Sequence, residues 1–107
     1  MTEIDKVSLL KSLLQIKDNT EDDALYNLLS LAEREIIAWR FNGDTSKKLE
    51  KEYEMTQIHA VAAGYSIIGA EGQSLHIENG THRDFVYPDM LHYIHSNVIP
   101  FVKVIGT

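Results

Sequence analysis

Five histidines, His59, His76, His82, His92 and His95, are the side chains best suited to chemistry in this 107-residue chain. Imidazole binds transition metals and exchanges protons near neutral pH. His92 and His95 stand three apart, a spacing that on a helix brings two rings within reach of one metal ion. No His-Glu-x-x-His or comparable ligand signature accompanies them, so the pair reads as two half-exposed helix residues. His76 and His82 fall near Glu78 and Asp84 and are expected to pair with those carboxylates. The absence of cysteine removes a thiolate nucleophile, a disulfide framework and any cysteine-held metal or cluster. Ser66, Ser74 and Ser96 lack the Gly-x-Ser-x-Gly context of an activated serine. Gly69-Ala70-Glu71-Gly72 bears glycines, but no lysine follows to reach a phosphate, and the glycines close a helix where a phosphate cradle would open one. Glu50, Glu52 and Glu54 interleave with Lys47, Lys48 and Lys51 as a solvated charge run. No catalytic residue, metal ligand or cofactor is expected, and the chain does not read as an enzyme.

The elements that carry these residues are mostly helical. Thr2 can cap a first helix over about 3–16, with Asp5 completing a capping box. Ile4, Val7, Leu10 and Leu14 recur on one face there, and Leu9, Leu13 and Ile16 widen the stripe. Thr20 precedes Glu21-Asp22-Asp23, three acids where a helix dipole favours them, and predicts a second helix over about 20–41. Leu25, Leu28, Leu29, Ala32, Ile36 and Trp39 line its apolar face, and Asn42-Gly43 supplies a stop. Asp44, Thr45 or Ser46 can cap a third helix over about 46–68. From Ile58 onward that helix is apolar nearly all round, which marks the centre of the fold, and Gly64 there permits close approach.

Beyond Gly72 the period changes. Leu75 and Ile77 alternate with Ser74, His76 and Glu78, and Asn79-Gly80 is a hairpin signal, so a β-ribbon is expected over about 74–86. A two-residue loop would set Leu75 opposite Asp84. A three-residue loop, Asn79-Gly80-Thr81, sets Leu75 opposite Phe85 and Glu78 opposite His82, segregating apolar from polar faces, and is preferred. A lone ribbon is marginal in water and must pack on something. Pro88 suits the first turn of a fourth helix over about 88–98, carrying Leu91, Ile94 and Val98. Residues 100–107 form an apolar, β-prone tail with Phe101, Val102, Val104 and Ile105, which needs a docking site. The expected architecture is mainly α: a single-domain bundle of three to four helices with a protruding two-stranded β-ribbon between the third and fourth.

Composition narrows the partners. A chain this short buries only about two-thirds of its unfolded surface and often gains stability by covering a face with another subunit. Its net charge is −6, and its lysines and arginines do not cluster, so tight nucleic-acid binding is disfavoured. No apolar run approaches the roughly 20 residues of a membrane span, and the first residues do not read as a signal peptide.

Three stretches carry a family likeness. The first is Leu9-Leu10-Lys11-Ser12-Leu13-Leu14, then Thr20-Glu21-Asp22-Asp23 and Leu25-Tyr26-Asn27-Leu28-Leu29. The second is Ala32-Glu33-Arg34-Glu35-Ile36-Ile37, leading to an aromatic helix end with Asn42. The third is Ala63-Gly64-Tyr65-Ser66-Ile67-Ile68-Gly69-Ala70-Glu71-Gly72-Gln73-Ser74. In motif and in order of elements the chain resembles the head–tail connector (head completion, or adaptor) proteins of long-tailed phages, although Ser66 and Ile67 stand where that family usually has a base after the tyrosine. The resemblance implies a structural virion protein of a phage or prophage, held in the host cytoplasm before assembly and in the virion neck afterwards. It implies a cyclic homo-oligomer of about a dozen subunits under the portal protein, continuing the DNA channel. The portal and the next connector or tail-completion protein are its implied partners, with DNA passing unbound and no membrane involved.

Within that reading, Leu75, Ile77, Phe85, Trp39 and Tyr53 are the expected oligomer interface, and Phe101, Val102, Val104 and Ile105 the expected docking segment for the portal or another partner. The competing expectations are a small helical dimeric regulatory or binding module, a histidine metal site, and another neck or tail-completion protein.

Overall fold

The computed structural model describes residues 1–70 and 85–101. Within them run four helices: α1, Glu3–Leu14; α2, Asp22–Arg40; α3, Glu54–Ala70; and α4, Tyr87–Asn97. A single 3-10 turn, Lys51–Tyr53, leads into α3. The mainly helical character read from the sequence stands. The expected ribbon lies outside the described residues apart from Phe85 and Val86, and so does the tail beyond Phe101.

The capping box at the start of α1 forms as its residues foretell. The Asp5 amide donates to Thr2 Oγ1 at 3.0 Å, and the Thr2 amide donates to Asp5 Oδ2 at 3.2 Å. Those bonds, the backbone one foremost, hold the Asp5 carboxyl below the usual aspartate range. The helix ends at Gln15, in a left-handed conformation with φ 60°. Val7, Leu10 and Leu14 are buried, but Ile4 of the same expected stripe is 68% exposed. The buried face takes in Lys6 on its far side, and one helical turn per 3.6 residues carries Ile4 off that face.

Thr20 does not cap α2. Its hydroxyl donates to Asp18 Oδ1 at 2.9 Å in a local turn, and the helix starts from Glu21 with no side-chain cap. The α1–α2 corner is closed instead by Lys11 Nζ, which donates to Asn19 Oδ1 at 2.7 Å and to Asp22 Oδ1 at 2.8 Å. At the other end of α2 the Asn42-Gly43 stop operates. Asn42 and Gly43 take φ of 56° and 94°, and the Gly43 amide donates to the Ala38 carbonyl at 2.8 Å.

The third helix starts at Glu54, eight residues later than the expected Ser46. Asp44 Oδ1 accepts from both the amide and the hydroxyl of Ser46, at 3.0 and 2.6 Å, which spends the would-be cap on a turn. Glu50 is extended, with its carboxylate drawn to Arg40.

As its all-round apolar pattern implies, α3 is the centre: it packs on α1, α2 and α4. Ile58, Ala60 and Val61 are fully buried there, against Leu10 of α1, Leu25 and Ile36 of α2, and Met90 and Ile94 of α4 in one cluster. Each large side chain so buried contributes about 1.5–3 kcal/mol relative to exposure. On α4 Met90 and Ile94 are fully buried, with Leu91 half-buried beside Met90. Pro88 sits in the first turn, as expected. The Tyr87 hydroxyl donates to Glu35 Oε2 at 2.7 Å, which fastens the start of α4 to α2 and holds the phenol above its usual range.

Gly64 does admit a close approach, though by a ring and not by another helix. Phe85 lies against its Cα, where a Cβ would overlap the ring, and the Val86 amide donates to the Gly64 carbonyl at 3.3 Å. Phe85 also meets Tyr65 edge-on, with centroids 5.5 Å apart.

Candidate functional site

Where α4 ends, the chain turns into an extended segment, residues 98–101, that lies along the C-terminal turn of α2. Val98 is the last buried residue of α4's apolar series, and its conformation is extended, with φ −114° and ψ 129°. From there the backbone gives up its helical partners and is met by α2 side chains.

Three residues of α2 and its C-terminal stop hold this strap. Trp39 Nε1 donates to the Val98 carbonyl at 3.0 Å, and Arg40 Nη1 donates to the Ile99 carbonyl at 2.6 Å. The Phe101 amide donates to the Arg40 carbonyl at 2.8 Å, and Asn42 Nδ2 donates to the Phe101 carbonyl at 2.9 Å. The Arg40 carbonyl is free to accept because it belongs to the last turn of a helix, whose carbonyls have no partner within it. From the far side, the Ile99 amide donates to the Tyr53 hydroxyl at 3.3 Å.

Arg40 is the hub of the arrangement. Its Nε and Nη2 donate to the two carboxylate oxygens of Glu50, at 2.7 and 3.4 Å. That pairing raises its already high pKa. Its guanidinium lies 3.9 Å from the centroid of the Phe101 ring, with Tyr53 and Phe41 at 5.5 and 5.9 Å. A planar, permanently charged group can stack on a ring while its edge donates to a carboxylate and a carbonyl, which an ammonium cannot do. Phe41 and Phe101 meet at 5.2 Å.

The strap leaves apolar surface uncovered. Ile99 is 69% exposed, Phe101 48% and Trp39 36%. The Trp39 ring is stacked on His95 at 4.0 Å with 27° between the planes and remains partly exposed. Hydrogen-bonded backbone therefore presents an aromatic and aliphatic patch at the mouth of the C-terminal tail.

The expected site residues divide accordingly. Trp39 and Phe101 come together on this patch. Tyr53 does not lie on the outside: it is buried in the subunit's own core and reaches the strap only through its hydroxyl. The 3-10 turn ahead of α3 points its ring inward. Phe85 is half-buried against Gly64 and Tyr65, away from the strap. Leu75, Ile77, Val102, Val104 and Ile105 lie outside the described residues.

Arg40 and Ile99 were not singled out from the sequence, and Asn42 was read only as part of a helix stop. Their signal was faint: an arginine ending an amphipathic helix reads as a dipole partner, and only the strap shows what it holds.

The three histidines among the described residues do not converge. His95 faces Trp39, and His59 meets Tyr93 edge-on at 6.5 Å. His92 borders an open hollow of about 250 Å³ with Asp89, Ser96 and Ala63. Among the described residues no three His, Cys, Asp or Glu side chains are grouped to hold a metal ion. His76 and His82 lie outside those residues. No helix among the described residues is long and apolar enough to cross a membrane.

Residues 4–96 match the family model described as phage gp6-like head-tail connector protein. No curated protein and no solved structure matches the chain.

Proposed function

The chain belongs to the phage gp6-like head–tail connector family, and we propose that it acts in the virion neck as the subunit of a cyclic ring between the portal protein and the next connector or tail-completion protein. The role is structural. No reaction is ascribed to it, and the ring continues the channel through which DNA passes.

One observation carries the reading: the apolar patch of Trp39, Ile99 and Phe101 is left open on a backbone that five hydrogen bonds hold still. Side chains presented on an ordered backbone lose little entropy when a partner covers them. The strap also sets where the tail leaves the bundle. In this reading Phe101, Val102, Val104 and Ile105 dock on the portal or the neighbouring connector, adding a strand to its edge. Leu75, Ile77 and Phe85, with Trp39, face the adjacent copy. Tyr53 is left to its own subunit's core. A net charge of −6 on every copy would keep a phosphate backbone from adhering to the channel wall.

The test is assembly. Purified protein, alone and mixed with portal rings of its phage, is followed by native mass spectrometry and electron microscopy. Closed rings of uniform size, lost in Ile99→Asp with Phe101→Asp, are the expected result. A chain that stays a dimer or monomer and ignores the portal would overturn the proposal; a stable dimer would point to a small regulatory module instead.

A further inference from the structure

Gln57 is the one polar side chain drawn fully into the core among the described residues whose chemistry is incomplete. It lies in the first turns of α3, 2% exposed, and its Nε2 donates to the Leu29 carbonyl of α2 at 2.8 Å. Its Oε1 is buried with no partner among the described residues. The amide cannot be turned over to cure this, since Oε1 would then face the Leu29 carbonyl, acceptor against acceptor. A buried carboxamide oxygen requires a donor.

Beside it lies a small cavity with about 10 Å³ of room for the centre of a water-sized sphere. That is about the least space that holds one water. Its walls come from three helices: Glu3 and Lys6 of α1, Tyr26, Ser30 and Glu33 of α2, and Gln57 of α3. Tyr26 and Ser30 carry hydroxyls, Lys6 an ammonium, and the two glutamates are acceptors, so the lining offers the polar partners, about two to four, that a buried water needs. A metal cation is disfavoured by the Lys6 charge in the same wall, and anything larger does not fit.

We infer that one structural water occupies this cavity, donates to Gln57 Oε1 and bridges α1 and α2 to the start of α3. The water completes the hydrogen bonding of the only buried carboxamide that ties α2 to α3 among the described residues. It also sets how closely α1 approaches that pair, independently of any ring the subunits form.

The experiment is a crystal structure of the full chain at a resolution that shows ordered solvent, together with Gln57→Leu. The expected result is one water within hydrogen-bonding reach of Gln57 Oε1. In solution, the Gln57 side-chain amide protons should show cross-relaxation with a water held longer than bulk, and magnetic relaxation dispersion should lose that water in Gln57→Leu. An empty cavity, or the Lys6 ammonium placed directly on Oε1, overturns the inference, as does a dispersion unchanged by Gln57→Leu. Should that variant not fold, the wild-type structure and amide cross-relaxation decide by themselves. Lys6→Met gives a further reading: the bound-water signal persists if water is the partner, and a signal that appears only in the variant shows that Lys6 was the donor and overturns the inference.

Discussion

Around Ile58 and Val61 the chain is held by shape, and around Arg40 it is held by named polar bonds. The middle of α3 packs on all three other helices with side chains that have no direction of their own. The strap at 98–101 has little buried surface beyond Val98 and instead takes a donor or acceptor from Trp39, Arg40, Asn42 and Tyr53. The first kind of region sets whether the bundle folds. The second sets the geometry of a surface segment while leaving its apolar side chains open. The two are not interchangeable, since interior packing cannot aim a surface segment and surface hydrogen bonds cannot supply a core.

The sharpest way to break the comparison is to cut the interior. Ile58→Ala removes a fully buried side chain and should cost about 2–5 kcal/mol. Denaturant unfolding would register the loss as a lower midpoint with an unchanged slope, a large share of a stability of about 5–15 kcal/mol.

Gly64→Ala tests crowding at the far half of the same helix. The added methyl meets the Phe85 ring, so destabilisation of about 1–3 kcal/mol is expected, with a shift in Phe85 and Tyr65 ring signals. Rescue by adding Phe85→Leu would locate the clash; unchanged stability in the single variant would mean that Phe85 moves aside freely.

Arg40→Ala should do less to global stability and more to the strap. Faster hydrogen exchange at the Ile99 and Phe101 amides is expected, with the core amides of α3 unchanged. Arg40→Lys should not restore protection, because an ammonium cannot stack on Phe101 and bridge Glu50 at once. Equal loosening of core and strap would erase the distinction between the regions.

The smallest effect concerns the α1 cap. The Asp5 carboxyl is held below the usual aspartate range in the folded chain, foremost because the Thr2 amide donates to its ionised oxygen. A carboxyl whose folded pKa is lowered adds stability above its unfolded value, and that stability is lost as pH falls through the lowered one. Acidification below about pH 4 should therefore fray the first turn of α1, seen in the Thr2 and Asp5 amide shifts. Asp5→Asn should remove most of that pH dependence at α1, whereas the local turns at Asp18 and Asp44, held low by Thr20 and Ser46, should keep theirs.

Much of the bundle was legible in the residues. Four helices, the capping box at Thr2, the Asn42-Gly43 stop, Pro88 in a first turn and the central place of the all-apolar helix follow from local rules of capping, periodicity and burial. Those rules act within a few residues, so a single strand of text contains them. The family likeness was also readable, because it rests on the order of such elements.

What the sequence left open was decided by contacts between residues far apart in it. Thr20 and Asp44 to Ser46 looked like caps until neighbouring side chains claimed their groups for turns. Ile4 shared a stripe with Val7 but not a neighbour. Arg40 gained its role only when residues 59 and 61 positions later came to lie beside it. The sequence by itself determined which segments become helices and which face is apolar, because those depend on spacing along the chain. Tertiary structure alone decided which apolar residues stay outside and which polar ones are spent inside, because a side chain's cost of burial depends on the partner it meets.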